Sequence, residues 1–148
     1  MTLKEEYLAR KLFEIGAVQF GDFPLRDGSR SPIYFNYRTP EHPTKPGPLN
    51  QQLLTIIGHC FYGIACRQSL VYEYVAGIPQ AGEPLAEAFS RDPSFRLPIS
   101  LLRFWEEGGR IKGVKENVPP STILLIDDVI TRAGAKREAI EAAQNAGH

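Results

Sequence analysis

Ile123-Leu124-Leu125-Ile126-Asp127-Asp128-Val129-Ile130-Thr131-Arg132-Ala133-Gly134-Ala135-Lys136 is the stretch on which the fold turns. Residues 122–126 form an uninterrupted, mostly aliphatic run, the pattern of a strand buried on both faces of a parallel sheet. The run delivers two carboxylates to its carboxyl end. A loop of small residues then opens a helix over about 133–146, which Gly147 caps. Ligands of open α/β sheets bind at that edge. Small residues at 133–135 let backbone amides approach an anion, and the helix N-terminus favours a phosphate. Thr131 adds a hydroxyl donor. Asp127 and Asp128 repel phosphate but accept hydrogen bonds from vicinal hydroxyls, so the combination suits a ribose 5-phosphate. The plainer alternative is a parallel strand that ends in a helix N-cap. A response-regulator receiver is not expected, because its phosphoacceptor would lie a few elements further on and only twenty residues follow Asp128.

Outward from this stretch, helix and strand alternate. The spacing predicts a helix over 49–70, a strand over 72–78, a turn at 79–82, a helix over 84–89 and a strand over 97–103 followed by a Gly-rich turn at Gly108-Gly109. That order implies an α/β domain with right-handed crossovers. Ahead of it, apolar positions at helical spacing run over 3–16, and two short strands, 17–25 and 31–37, flank the Asp27-Gly28 turn. Pro40, Pro43, Pro46 and Pro48 make the next segment a loop.

A chain of 148 residues, 43% hydrophobic and 23% charged, fits one domain with a substantial core. Lys+Arg and Asp+Glu both number 17, so no global basic field draws the protein to nucleic acid or anionic lipid. The opening Met-Thr-Leu-Lys-Glu-Glu lacks a signal-peptide core, and no stretch reaches the ~20 apolar residues of a membrane span. A cytoplasmic location is expected. Cys60 and Cys66 are expected to be reduced core residues on different faces of a helix, too few for a zinc site, and no protein-held metal is expected.

The signature Asp127-Asp128-Val-Ile-Thr-x-x-Gly resembles the phosphoribosyl-pyrophosphate (PRPP) motif of type I phosphoribosyltransferases. The segment from Val18 through Phe20-Gly21, Arg26, Ser31-Pro32, Tyr34, Phe35 and Asn36 is similar to the opening of the orotate phosphoribosyltransferases, one branch of that family. Val75-Ala76-Gly77-Ile78-Pro79-Gln80-Ala81-Gly82 resembles its pyrophosphate loop. The resemblance implies a parallel sheet flanked by helices, with residues 1–48 as a small α+β hood carrying the base-binding segment and 49–148 as the core of a single domain. It further implies PRPP contacts at Asp127, Asp128, Val129, Ile130, Thr131, Arg132, Ala133, Gly134 and Ala135, and pyrophosphate contacts at Ile78, Pro79, Gln80 and Ala81, with a non-proline cis peptide at Pro79-Gln80. Orotate would meet Arg26, Tyr34, Phe35 and Thr131, and catalysis would fall to Arg26 and Arg103. Mg²⁺ would bind mainly through PRPP, and the chain would pair as a homodimer.

The match also breaks. Where the family has Arg-Lys-Glu-x-Lys-x-x-Gly in a mobile loop, this chain reads Arg103-Phe104-Trp105-Glu106-Glu107-Gly108-Gly109-Arg110, so Phe104 replaces a lysine and the second lysine has no counterpart. Arg110 or Lys112 could substitute. The chain stops before the strand that carries the family's base-contacting Arg, so the core is expected to be incomplete at its C-terminus. The expected activity is phosphoribosyl transfer from PRPP to orotate. The alternatives are a non-catalytic PRPP- or nucleotide-binding relative with a regulatory or assembly role, and a transferase for another base.

Overall fold

The computed structural model describes residues 2–24, 28–129 and 134–148. These group into two compact units, residues 1–56 and 57–148, each described by itself below.

In the first unit, α1 (Leu3–Glu14) starts at a capping box, in which Thr2 accepts from the Glu5 N–H and Glu5 accepts from the Thr2 N–H. The helix ends at Gly16, whose φ of 75° is a left-handed conformation that glycine adopts without strain. The next residue, fully buried Ala17, donates to the Leu12 carbonyl and accepts from the Asn36 N–H, fixing the strands to the helix end. Those strands, β1 (Val18–Pro24) and β2 (Arg30–Phe35), pair antiparallel, with a bulge between Phe20 and Phe23. The proline-rich segment closes on itself, since the Gly47 N–H donates to Thr39 and the Leu49 N–H to Arg38. Gly47 is required there, because a Cβ would lie 2.4 Å from the Arg38 carbonyl oxygen.

The helix α2 (Gln51–Arg67) contains the boundary between the units. In the second unit, β3 (Tyr74–Gly77), β4 (Ser100–Leu102) and a later strand, β7 (Ile123–Ile126), form a parallel sheet of order β4-β3-β7. Successive β3 residues face opposite sides. Ala76 joins Leu102, Ala139, Ala142 and Ala143 in a core under the final helix, α4 (Gly134–Asn145), whose alanines permit close approach. Gly77 faces the other way, onto α3 (Gly82–Ser90). Helices thus cover both faces, as an uninterrupted apolar strand requires. Gly58 lets α2 cross α3, because a Cβ there would lie 2.5 Å from the Ala88 carbonyl oxygen. Beyond α3, Asp92 is buried, accepting from the Ser94 N–H and facing His59 Nδ1 at 3.1 Å.

Three features differ from the sequence reading. The expected strand over 97–103 is only β4, because Leu97 points to solvent. The Gly-rich turn joins two further strands, β5 (Phe104–Glu107) and β6 (Arg110–Val114), in an antiparallel hairpin. Gly108 and Gly109, at φ of 59° and 74°, supply the positive-φ pair that a two-residue hairpin turn needs. The only tryptophan, Trp105, lies across this hairpin over Gly113, where a Cβ would come 2.5 Å from the indole nitrogen. Neither cysteine forms a disulfide, but Cys66 is exposed and Cys60 only half-buried, so neither is the core residue expected. Among the described residues no helix is long and apolar enough to cross a membrane.

Candidate functional site

Two loops meet at the carboxyl end of the parallel sheet. The first leaves β3 at Gly77 and passes through Ile78, Pro79, Gln80 and Ala81 into α3. Its Pro79-Gln80 peptide bond is cis, as the resemblance implied. Ile78 and Ala81 are buried, Pro79 is half-buried and Gln80 is exposed, so side chains at either end anchor a turn whose middle faces solvent. The second loop leaves β7 at Asp127. The two are stitched together at one point: the Ile78 N–H donates to the Ile126 carbonyl at 2.8 Å, and the Gly82 N–H donates back to Ile78 at 2.9 Å. Gly82 lies so close to β7 that a Cβ would fall 2.5 Å from the Ile126 carbonyl oxygen and 3.2 Å from Asp127 Cα.

The paired carboxylates do not have equivalent surroundings. Asp127 Oδ1 accepts the Asp128 N–H at 2.8 Å, while Oδ2 meets the Lys136 ammonium. Asp128 Oδ1 accepts the Val129 N–H at 2.9 Å. Lys136 also donates to the Val129 carbonyl at 2.6 Å, spanning the loop from the first turn of α4. Gly134 and Ala135 are exposed, and among the described residues a Cβ on Gly134 would meet no atom within 4 Å. Arg26, Ile130, Thr131, Arg132 and Ala133, all expected to touch ligand, lie outside the described residues. An apolar cavity of about 360 Å³ opens behind β7, lined by Phe61, Ile64, Leu124 and Ile140 among others, with Asp127 and Lys136 at its rim. Its apolar walls cannot solvate a phosphate.

Arg103 is exposed just before the hairpin, its backbone N–H donating to Glu116 at 2.7 Å and its guanidinium 3.8 Å from the same carboxylate. The Lys115 N–H donates to the Arg103 carbonyl at 2.7 Å. Both act on Glu83, in the first turn of α3: burial raises the Glu83 pKa, and the charges of Lys115 and Arg103 pull it back down. Lys115 is thus near Glu83 at the start of α3, which the sequence reading missed because Lys115 falls outside the family motif. Phe104, where the family has a lysine, is 2% exposed and packs with Ile111 and Ala139. Arg110 sits 3.9 Å from Glu138 of α4, and Lys112 is exposed.

In the first unit, Tyr34 is half-buried and Phe35 more exposed. The Tyr34 ring packs on Phe23 with centroids 5.3 Å apart, and its hydroxyl accepts from Arg38 at 3.2 Å. Lys45 stands over the same ring, 4.2 Å from its centroid. Arg38 and Lys45 thus surround Tyr34 with two cations, which became apparent only once the proline-rich loop was seen to fold back.

No family model matches the chain. A protein of Methanopyrus kandleri named orotate phosphoribosyltransferase is 30% identical over 152 residues, covering 99% of this chain and 74% of that one. The chain belongs to the orotate phosphoribosyltransferase family. A second orotate phosphoribosyltransferase, from Stenotrophomonas maltophilia, is 32% identical over 139 residues, 88% of this chain and 58% of that relative. The chain thus spans about three quarters of the first relative's length and under two thirds of the second's. Among solved structures, Leishmania donovani UMP synthase superposes with a TM-score of 0.71 at 27% identity, over 95% of this chain and 28% of that one. The Mycobacterium tuberculosis orotate phosphoribosyltransferase in complex with PRPP gives a TM-score of 0.70 over 97% of this chain and 76% of that one. At 20% identity the latter supports the fold alone. The orotate phosphoribosyltransferase fold is therefore the α/β architecture described above.

Proposed function

We propose that the chain transfers the phosphoribosyl group of PRPP to orotate, giving orotidine 5′-monophosphate and pyrophosphate. The observation that carries this reading is the stitching of the 78–82 loop to the end of β7, which brings an amide-presenting turn beside two carboxylates and a helix N-terminus. In the reaction the anomeric C–O bond breaks as a C–N bond to orotate forms, and pyrophosphate departs. Asp128, with Asp127 fixed beside it, accepts the ribose hydroxyls; Gly134 and Ala135 leave room for the 5′-phosphate; Arg103 and Lys115 meet the pyrophosphate charge. Arg38 and Lys45 around Tyr34 suit an anionic base such as orotate. No covalent enzyme intermediate is required.

Mg²⁺ fits this donor set only as a companion of PRPP. Among the described residues no cluster of three or more His, Cys, Asp or Glu side chains could hold a metal. Mg²⁺ typically uses one or two carboxylates together with substrate phosphates, and when bound it would balance the pyrophosphate charge. A cytoplasmic site of action belongs to the same reading, consistent with two cysteines that form no disulfide.

The assay is pyrophosphate release with orotate beside a panel of other pyrimidine and purine bases. Orotate is expected to be the preferred acceptor. Gly134→Asp is expected to weaken PRPP binding at least about tenfold by calorimetry. Its stability should change by less than about 1 kcal/mol, since the new side chain enters open space. Unchanged affinity would remove the helix N-terminus from the site. The acidic hairpin tip, Glu106-Glu107, favours a second reading, a relative that binds PRPP without turning it over; PRPP binding with no product from any base would establish it.

A homodimer is also part of the proposal. Helix α1 buries Leu12, while Leu3, Tyr7 and Phe13 are exposed, with Phe20 of β1 beside Phe13. A second copy would cover these apolar side chains. Sedimentation is expected to give a dimer that Phe13→Glu shifts to monomer; a wild-type monomer at high concentration would refute it.

A further inference from the structure

We propose that Lys136 is a positioning residue of the sugar-phosphate site, an internal counter-cation that holds Asp127 in place and cancels its charge beside a polyanionic ligand. The inference rests on the PRPP-binding reading above. Lys136 stands in the first turn of α4, the end of a helix where a cation is least favoured. Its compensation is local: the ammonium meets Asp127 Oδ2 and donates to the Val129 carbonyl at 2.6 Å. Both side chains are largely removed from water, 19% and 14% exposed, so the pair is screened little. The other Asp127 oxygen is taken by the Asp128 N–H at 2.8 Å, so both oxygens of Asp127 are engaged within the protein. Two adjacent carboxylates would otherwise oppose a ligand carrying three phosphate groups. With Lys136 in place, Asp127 shapes the loop as a neutral pair, and Asp128 remains the acceptor for the ribose hydroxyls. Lys136 also lines the apolar cavity behind β7, where its hydrocarbon stem suits the apolar walls better than its ammonium does.

The test measures PRPP affinity by calorimetry and steady-state kinetics with orotate for the wild type, Lys136→Met, Lys136→Arg and the double variant Asp127→Asn/Lys136→Met. Lys136→Met is expected to raise the Kd and KM for PRPP about tenfold or more while kcat changes little, because the pair acts on ground and transition states alike. Lys136→Arg keeps the charge and is expected to restore most of the affinity. The double variant removes both charges together and is expected to bind PRPP at least about threefold more tightly than Lys136→Met, a recovery beyond the scatter of additive effects. Wild-type affinity in Lys136→Met would overturn the inference. So would a double variant as weak as Lys136→Met, since that places Lys136 on the ligand rather than behind Asp127. If Lys136→Met does not fold by circular dichroism, the arginine and double variants decide the matter by the same criteria. A wild-type chain that binds no PRPP instead refutes the proposed function itself, and the inference with it; wild-type binding with unaffected variants refutes the inference alone.

Discussion

Gly77→Ala is expected to destabilise the protein by upward of about 3 kcal/mol and to remove PRPP binding with it. The added Cβ would lie 2.4 Å from the Gly82 carbonyl oxygen and 2.5 Å from both Cα and N of Glu83. All three are backbone atoms, so no side chain can swing away, and relief requires prising α3 from β3. Gly82→Ala meets the same obstacle from the other side, at the Ile126 carbonyl. Either change pulls apart the junction that sets the cis turn against the end of β7. Gly63→Ala is the control. In the middle of α2 its only close neighbour is the flexible tip of Arg67 at 3.3 Å, and an alanine in a helix is favoured over glycine by up to about 1 kcal/mol. Urea unfolding of the three variants should show two large losses and one small gain. A Gly77→Ala protein of native stability would mean that α3 does not rest on β3 as closely as described.

PRPP is expected to bind this chain well and react slowly. Groups that anchor PRPP hold ground and transition states alike, whereas groups that meet the departing pyrophosphate set the rate. The hairpin that replaces the family's lysine-bearing loop presents Glu106 and Glu107 at its tip, and Phe104 is committed to the core. Losing one such electrostatic contact typically costs on the order of a hundredfold in rate. A lysine-containing loop should therefore be inserted at the Gly108-Gly109 turn, leaving Phe104 in place. Single-turnover formation of orotidylate is expected to rise about a hundredfold in the grafted chain, with PRPP affinity nearly unchanged. If the unmodified chain already turns over at about 1 to 1000 per second, a native cation fills the gap, and Arg103→Met and Lys115→Met would identify it.

The parts of this architecture that could be read from sequence are those where local chemistry and tertiary role coincide. An aliphatic run followed by Asp127-Asp128 reads as a strand ending at a polar edge, and β7 is that strand, although it lies at the sheet edge with only Ile126 buried and Ile123, Leu124 and Leu125 half-buried. The Pro79-Gln80 turn was legible through the family motif rather than from any periodicity. The hairpin was not, because Phe104-Trp105-Glu106-Glu107 lacks the strict alternation of a half-buried strand. Only Phe104 turns inward, and its partner surface is an α4 far along the chain. Lys136 was hidden for a related reason: a lysine in an early helical turn reads as solvated unless the carboxylate it meets is known. Lys45 required the fold-back of the proline loop, which is invisible to local patterning. Cys66 was misjudged because a cysteine on an apolar helix is usually inward, whereas this one emerges at the surface.

The placement of Trp105 gives the protein a built-in optical reporter. It is the sole indole in the chain, half-exposed on the hairpin and seated on Gly113, while the other aromatic side chains are phenylalanines and tyrosines. Excitation at the red edge of the aromatic band therefore addresses one location. A ligand or a neighbouring chain that settles over the hairpin would dehydrate the indole and move its emission toward the blue, and one that binds elsewhere would leave the spectrum in place. The light this protein emits would thus distinguish events at the hairpin from events at the phosphate cradle without any label being attached.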